Sequence, residues 1–86
     1  MTQPVYQLAD KLIELSRRAD YLSQQYINEM SYIDGKPISA VMIETADDID
    51  KNAAQLAKLD NNAHFIEPKR TQARRLRWYA KMKNSD

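Results

Sequence analysis

The sequence predicts an all-α fold: a long antiparallel helical hairpin of coiled-coil character, followed by a third, basic C-terminal helix. Three observations predict it. Apolar residues recur at alternating steps of three and four between residues 5 and 33, and the same spacing returns between residues 42 and 56. Residues 68–84 then carry seven Lys or Arg with no acid among them.

Size and composition narrow the class further. A chain of 86 residues makes one small domain, residues 1–86, with no room for a cofactor domain beside a substrate domain. At 43% hydrophobic and 29% charged residues, with one Gly and three Pro, it suits an ordered helical protein better than a disordered one. It has no Cys, which excludes disulfides, thiolate metal sites and a Cys nucleophile. The start MTQPVYQLADKL lacks the basic, apolar and small-residue succession of a secretory leader, and no stretch approaches the ~18 apolar residues of a membrane span. The expectation is a cytoplasmic protein with no membrane contact.

Helix 1 is expected over about residues 4–33. Val5, Leu8, Leu12, Leu15, Ala19, Leu22, Tyr26 and Ile33 fill eight of nine heptad positions, with Glu29 the one polar entry. Pro4 suits a first helical position, and Asp34-Gly35 followed by Pro37 reads as the stop. Small Ala9, Ser16 and Ser23 flank the seam on one side and admit a close neighbour, while Tyr6, Ile13 and Ile27 widen it on the other. A helix of that length is too long to hide in a sphere. It needs a second helix from its own chain or another copy, so Leu8, Leu12, Leu15, Leu22 and Tyr26 are expected to carry self-association into a homodimer or larger species.

Helix 2 is expected over about residues 39–61, from Met42, Ala46, Ile49, Ala53 and Leu56. Two starts fit. Ser39 caps a helix that includes residues 41–43, or Thr45 with Asp47 and Asp48 makes a capped, acid-rich first turn and leaves residues 38–43 extended. The longer helix is preferred, because a lone strand has no partner here. Glu67 precedes Pro68 and is biased away from helical geometry, so residues 61–67 read as a connector in which Phe65 and Ile66 plug the core, and helix 3 is expected over about residues 68–83.

On helix 3, Ala73, Leu76, Tyr79 and Ala80 form a narrow apolar strip. Arg70, Arg74, Arg77 and Lys81 form a cationic stripe on the other side, with Trp78 beside it and Arg75 beyond. The asymmetry is local. Residues 1–66 hold six basic and ten acidic side chains, a balance of −4, and residues 67–86 hold seven and two, a balance of +5. Guanidinium forks match phosphate oxygens and an indole stacks on bases, so these residues point to nucleic acid. Two plainer readings stand beside that one: a solvated face, or pairing of the stripe with Glu44, Asp47, Asp48 and Asp50. A helix-turn-helix is disfavoured, since both the connector and the helix before it are too long for that motif.

Catalytic chemistry finds no foothold. His64 is the sole imidazole and has no ligand partners at zinc spacing, the serines lie in no triad pattern, and the single Gly35 rules out a Gly-rich phosphate loop. Asp47, Asp48 and Asp50 are explained by a first helical turn without a metal. The expectation is therefore a non-enzymatic accessory or regulatory protein with no cofactor and no metal, binding nucleic acid mainly through phosphates. The alternative is a helical adaptor or inhibitor that binds another protein and no nucleic acid.

Overall fold

The computed structural model describes residues 3–84, and among them the fold is all-α, as expected. Helix α1 runs Gln3–Ile27, a small hairpin of β1 (Tyr32–Ile33) and β2 (Lys36–Pro37) follows, and helices α2 (Ile38–Leu59) and α3 (Ala63–Asn84) complete the chain. Side-chain pairs fix the directions. Ser16 meets Gln72 and Tyr26 meets Tyr79, so α1 and α3 run parallel. Arg77, late in α3, meets Asp47 and Asp50, early in α2, so these two run antiparallel. The result is an up-down-up bundle measuring 46 × 21 × 16 Å, with α3 packed along α2.

The seams make the core. Leu12, Leu15, Ala19 and Leu22 of α1, Met42, Ala46, Ile49, Ala53 and Leu56 of α2, and Ile66, Ala73, Leu76 and Ala80 of α3 are all buried in one cluster. In the register that places Arg77 on Asp47 and Asp50, Ala46 lies level with Ala80 and Ala53 with Ala73. Methyl side chains at both levels leave room for the two helices to pack closely. Small Ser16 does the same on the α1 side. Its hydroxyl donates to Gln72 Oε1 at 2.6 Å, and Gln72 Nε2 donates to Asp20 Oδ1 at 2.8 Å and to the Ser16 carbonyl at 3.4 Å.

Helix 1 ends six residues before the expected Ile33, at the polar break in its own heptads. Glu29 sits in the left-handed region at φ 63°, its N–H donating to the Tyr26 carbonyl at 3.0 Å while Met30 N–H donates to Gln25 at 3.0 Å. That is the paired 6→1 and 5→2 arrangement of a Schellman terminus, which takes up carbonyls the helix would leave open. Asp34 (φ 52°) and Gly35 (φ 80°) form the two-residue loop of a hairpin, where Tyr32 pairs with Pro37 and Ile33 with Lys36. Positive φ at both loop positions is the type I′ requirement, so Asp-Gly serves a hairpin here and not a helix stop. Ile33, expected as a helical core position, reaches the core from β1 instead.

Helix 2 takes the longer form, so residues 38–43 are helical. Ser39 is not its cap. Pro37 occupies the N-cap position without a side-chain bond, and Ile38 N–H donates to the Ser31 carbonyl at 2.9 Å, so the hairpin itself supplies the partner. Thr45 is buried in mid-helix. Helix 3 begins at Ala63, not at Pro68. Residues 60–62 make the whole connector, the Asn62 carbonyl accepts from Ile66 N–H at 2.9 Å, and Pro68 lies within the helix. Pro68 leaves the exposed His64 carbonyl without an intrahelical donor, and burial of Ile66 with packing of Phe65 on the core offsets that loss. The connector is thus short enough for a helix-turn-helix, but two helices antiparallel along their lengths do not form its near-perpendicular pair.

Glu29 in a left-handed conformation stores strain that glycine would not. Glu29→Gly is expected to raise stability by ~0.5–1 kcal/mol, after allowing for the greater freedom of the unfolded glycine chain, and Glu29→Val to lower it. Melting followed by circular dichroism checks both, with a shift of a few degrees in opposite directions.

Candidate functional site

The surroundings of α3 decide which of its cations are available. Its core side is filled by Ile66, Ala73, Leu76 and Ala80. On the α1 side, Gln72 is held by Ser16 and Asp20, the Tyr79 ring stacks on Tyr26 with centroids 4.7 Å apart at 15°, and Lys69 Nζ stands 4.9 Å from the Phe65 ring centre.

The α2 side takes Arg77. Its Nη1 donates to Asp50 Oδ2 at 2.6 Å and its Nη2 to Asp47 Oδ1 at 2.8 Å, a fork spanning one turn of α2. The Asp47 hydrogen bond, reinforced by that of Asp50 against a modest burial penalty, pushes the guanidinium pKa above its ordinary value and keeps it charged. The expected four-cation stripe is therefore interrupted at its third member. Of the four acids considered as its partners, Asp47 and Asp50 reach Arg77, whereas Glu44 pairs with Lys36 at 3.6 Å and the Asp48 carbonyl accepts from Asn52.

The remaining residues divide by direction. Arg70 forms a long pair with Glu67 at 3.7 Å on its own helix. Arg74 is exposed and donates to Thr71 Oγ1 at 3.1 Å, Arg75 is exposed, and Trp78 is 57% exposed with its ring tilted 56° to Tyr79. By helical rotation Arg74, Arg75, Trp78 and Met82 lie on the side of α3 away from the core. Lys81 stands on the rim of a groove between α2 and α3, lined by Ile43, Arg77, Lys81 and Asn84. Ile43 and Asn84 belong to this surface and escaped the sequence reading. The signal for Ile43 is its position, an apolar residue off the seam that runs from Met42 to Leu56.

The residues expected to carry self-association are largely spent within the chain. Leu12, Leu15 and Leu22 are buried against α2 and α3, and Leu8 and Tyr26 are half-buried on the same core. Tyr6 and Ile27, each 63% exposed, and Tyr21 at 51% are the large apolar side chains that α1 leaves outside. Among the described residues no group of His, Asp and Glu is placed to hold a metal ion, and no helix is long and apolar enough to cross a membrane.

The Arg77 fork yields a direct expectation. Arg77→Met keeps the aliphatic stem but leaves Asp47 and Asp50 without their cation, which should destabilise by about 1 kcal/mol or less, since all three groups are partly solvated. In a double-mutant cycle with Asp50→Asn the losses should be less than additive, and the coupling should shrink in ~1 M salt. Fully additive losses would mean that the Asp50 arm of the fork contributes nothing. Comparison with protein-family models, curated proteins and solved structures finds no match, so the functional argument starts from this chain's own surface.

Proposed function

We propose that the protein is a small, non-enzymatic accessory protein that binds nucleic acid through the outward face of α3. Arg74 and Arg75 contact phosphates there, Lys81 does so from the adjoining groove rim, and Trp78 supplies a stacking surface. The observation that carries this reading is the setting of Trp78, a large indole more than half exposed between cations that extend from a helix otherwise engaged on three sides. Exposing an indole costs hydrophobic free energy, and a flat aromatic among guanidinium groups suits a ligand combining planar rings with anionic oxygens.

Two arrangements answer the electrostatic objection that most of the chain is acidic. Asp47 and Asp50, the α2 carboxylates nearest α3, are compensated by Arg77. Most of the other acids lie on α1, on α2 and near the hairpin, and the one on α3 itself, Glu67, pairs with Arg70 at 3.7 Å. Arg77 thus acts by screening carboxylates rather than by gripping a phosphate. Because these are backbone contacts, little sequence preference is expected.

A second reading, an adaptor that binds another protein and no nucleic acid, is favoured by Ile27 and Tyr32, each 63% exposed, with Met30 at 45% near the hairpin. Self-association, if part of either reading, falls to the outer line of Tyr6, Ile13 and Ile27 on α1 rather than to the leucine seam.

A salt series separates the two functions. Affinity for a generic single-stranded oligonucleotide should fall with a log-log slope of about −2 for three phosphate contacts. Replacing Arg74 and Arg75 by Ala should flatten that slope and weaken binding about equally for unrelated sequences, with the melting temperature nearly unchanged because both side chains are exposed. Absence of binding at low salt and tens of micromolar protein would leave the adaptor reading in its place.

A further inference from the structure

We infer that the strand bound by α3 is single, and that one unstacked base lodges in the groove between α2 and α3. The inference rests on the nucleic-acid reading and specifies its substrate. The groove is lined by Ile43 from α2 and by Arg77, Lys81 and Asn84 from α3, and at about 470 Å³ it falls within the ~300–1,000 Å³ typical of small-ligand sites. Its chemistry matches a base better than a phosphate alone. Ile43 is 41% exposed and offers an apolar wall. The Asn84 carboxamide offers donors and an acceptor together, the combination found on base edges, whereas a phosphate only accepts.

Arg77 completes the match. Its two terminal nitrogens are held by Asp50 and Asp47 at 2.6 and 2.8 Å, which fixes the plane of the guanidinium and compensates its charge. A guanidinium held in that way is a poor competitor for a further anion, but its flat face stays suited to stacking on an aromatic ring. The groove is therefore a cationic-rimmed slot with an apolar wall and a planar platform. Trp78 follows Arg77 directly and projects about 100° further round α3, outside the groove and toward the outward face, so a second base can stack there while the phosphate between the two lies near Arg74 and Lys81. In a duplex the base faces are covered by their neighbours. Only a strand with splayed bases can present one ring to Ile43 and the next to Trp78.

The test compares ligands that share phosphates and differ in bases. Three labelled strands of equal length, an oligothymidylate, an abasic strand with the same backbone and a duplex, are titrated with the full chain and followed by anisotropy. Trp78, the sole Trp, reports contact independently through its fluorescence. The thymidylate should bind about tenfold more tightly than the abasic strand, as expected for at least one stacked base, and should quench Trp78. Ile43→Ser should reduce that advantage without changing the salt slope, and Ile43→Ala serves as a second variant if the serine substitution alters the melting curve. Equal affinity for the thymidylate and abasic strands overturns the base site while leaving the phosphate-binding face intact, and so does tighter binding of the duplex. Failure of all three strands to bind at low salt overturns the inference together with the reading on which it rests.

Discussion

The close contact of α2 with α3 governs the rest of the molecule. Ala46 and Ala53 on one helix and Ala73 and Ala80 on the other are buried at 0–1% exposure, and their common spacing of seven residues brings them level in pairs. Larger side chains at those four positions would push the helices apart, and overpacking of a filled core commonly costs about 1–3 kcal/mol. In the same register the buried Ile49 and Leu76 fall between the alanine levels. Helix α2 also presents Ile38, Val41, Met42 and Leu56 to the core, so α1 and α3 are both built around it.

That contact dictates where charge can go. Arg77 lies at the edge of the core-facing side of α3, and because α2 is close its guanidinium reaches two carboxylates one turn apart. On the opposite edge Gln72 satisfies Ser16 and Asp20 together, and among the described residues no buried side-chain nitrogen or oxygen lacks a hydrogen-bond partner. Helix α3 is thereby anchored on its core side and on both edges. What projects outward is Arg74, Arg75, Trp78 and Met82, with Lys81 at the groove rim, and the functional proposal follows from this division of the helix.

Much of this architecture is legible in the sequence, and the gaps have physical causes. The spacing of Leu12 to Leu22, Met42 to Leu56 and Ala73 to Ala80 identifies the buried faces, because a core-facing residue must return every three or four positions. Small Ser16 correctly marks the side where another helix comes close. Helix ends are harder, since left-handed residues close helices and hairpin loops alike. Asp34-Gly35 fits both uses, and only the Glu29 break in the heptads shows that α1 has already ended. Pro68 misleads because a local bias at Glu67 is overridden by burial of Ile66. The site is the least legible part: rotation places Arg77 at an edge, but a long flexible side chain there can turn to solvent or to a neighbouring helix, and only the interhelical distance selects between them.

The central claim is that ligand contact is confined to the outward face of α3 and the groove beside it, and amide shift mapping of the labelled protein with a single-stranded oligonucleotide tests it most directly. The account predicts perturbations at Thr71, Arg74, Arg75, Trp78, Lys81 and Met82 of α3 and at Ile43 of α2, with the amides of residues 6–20 in α1 unmoved. Perturbations centred on α1 or on the hairpin, or none at saturating strand, would contradict it.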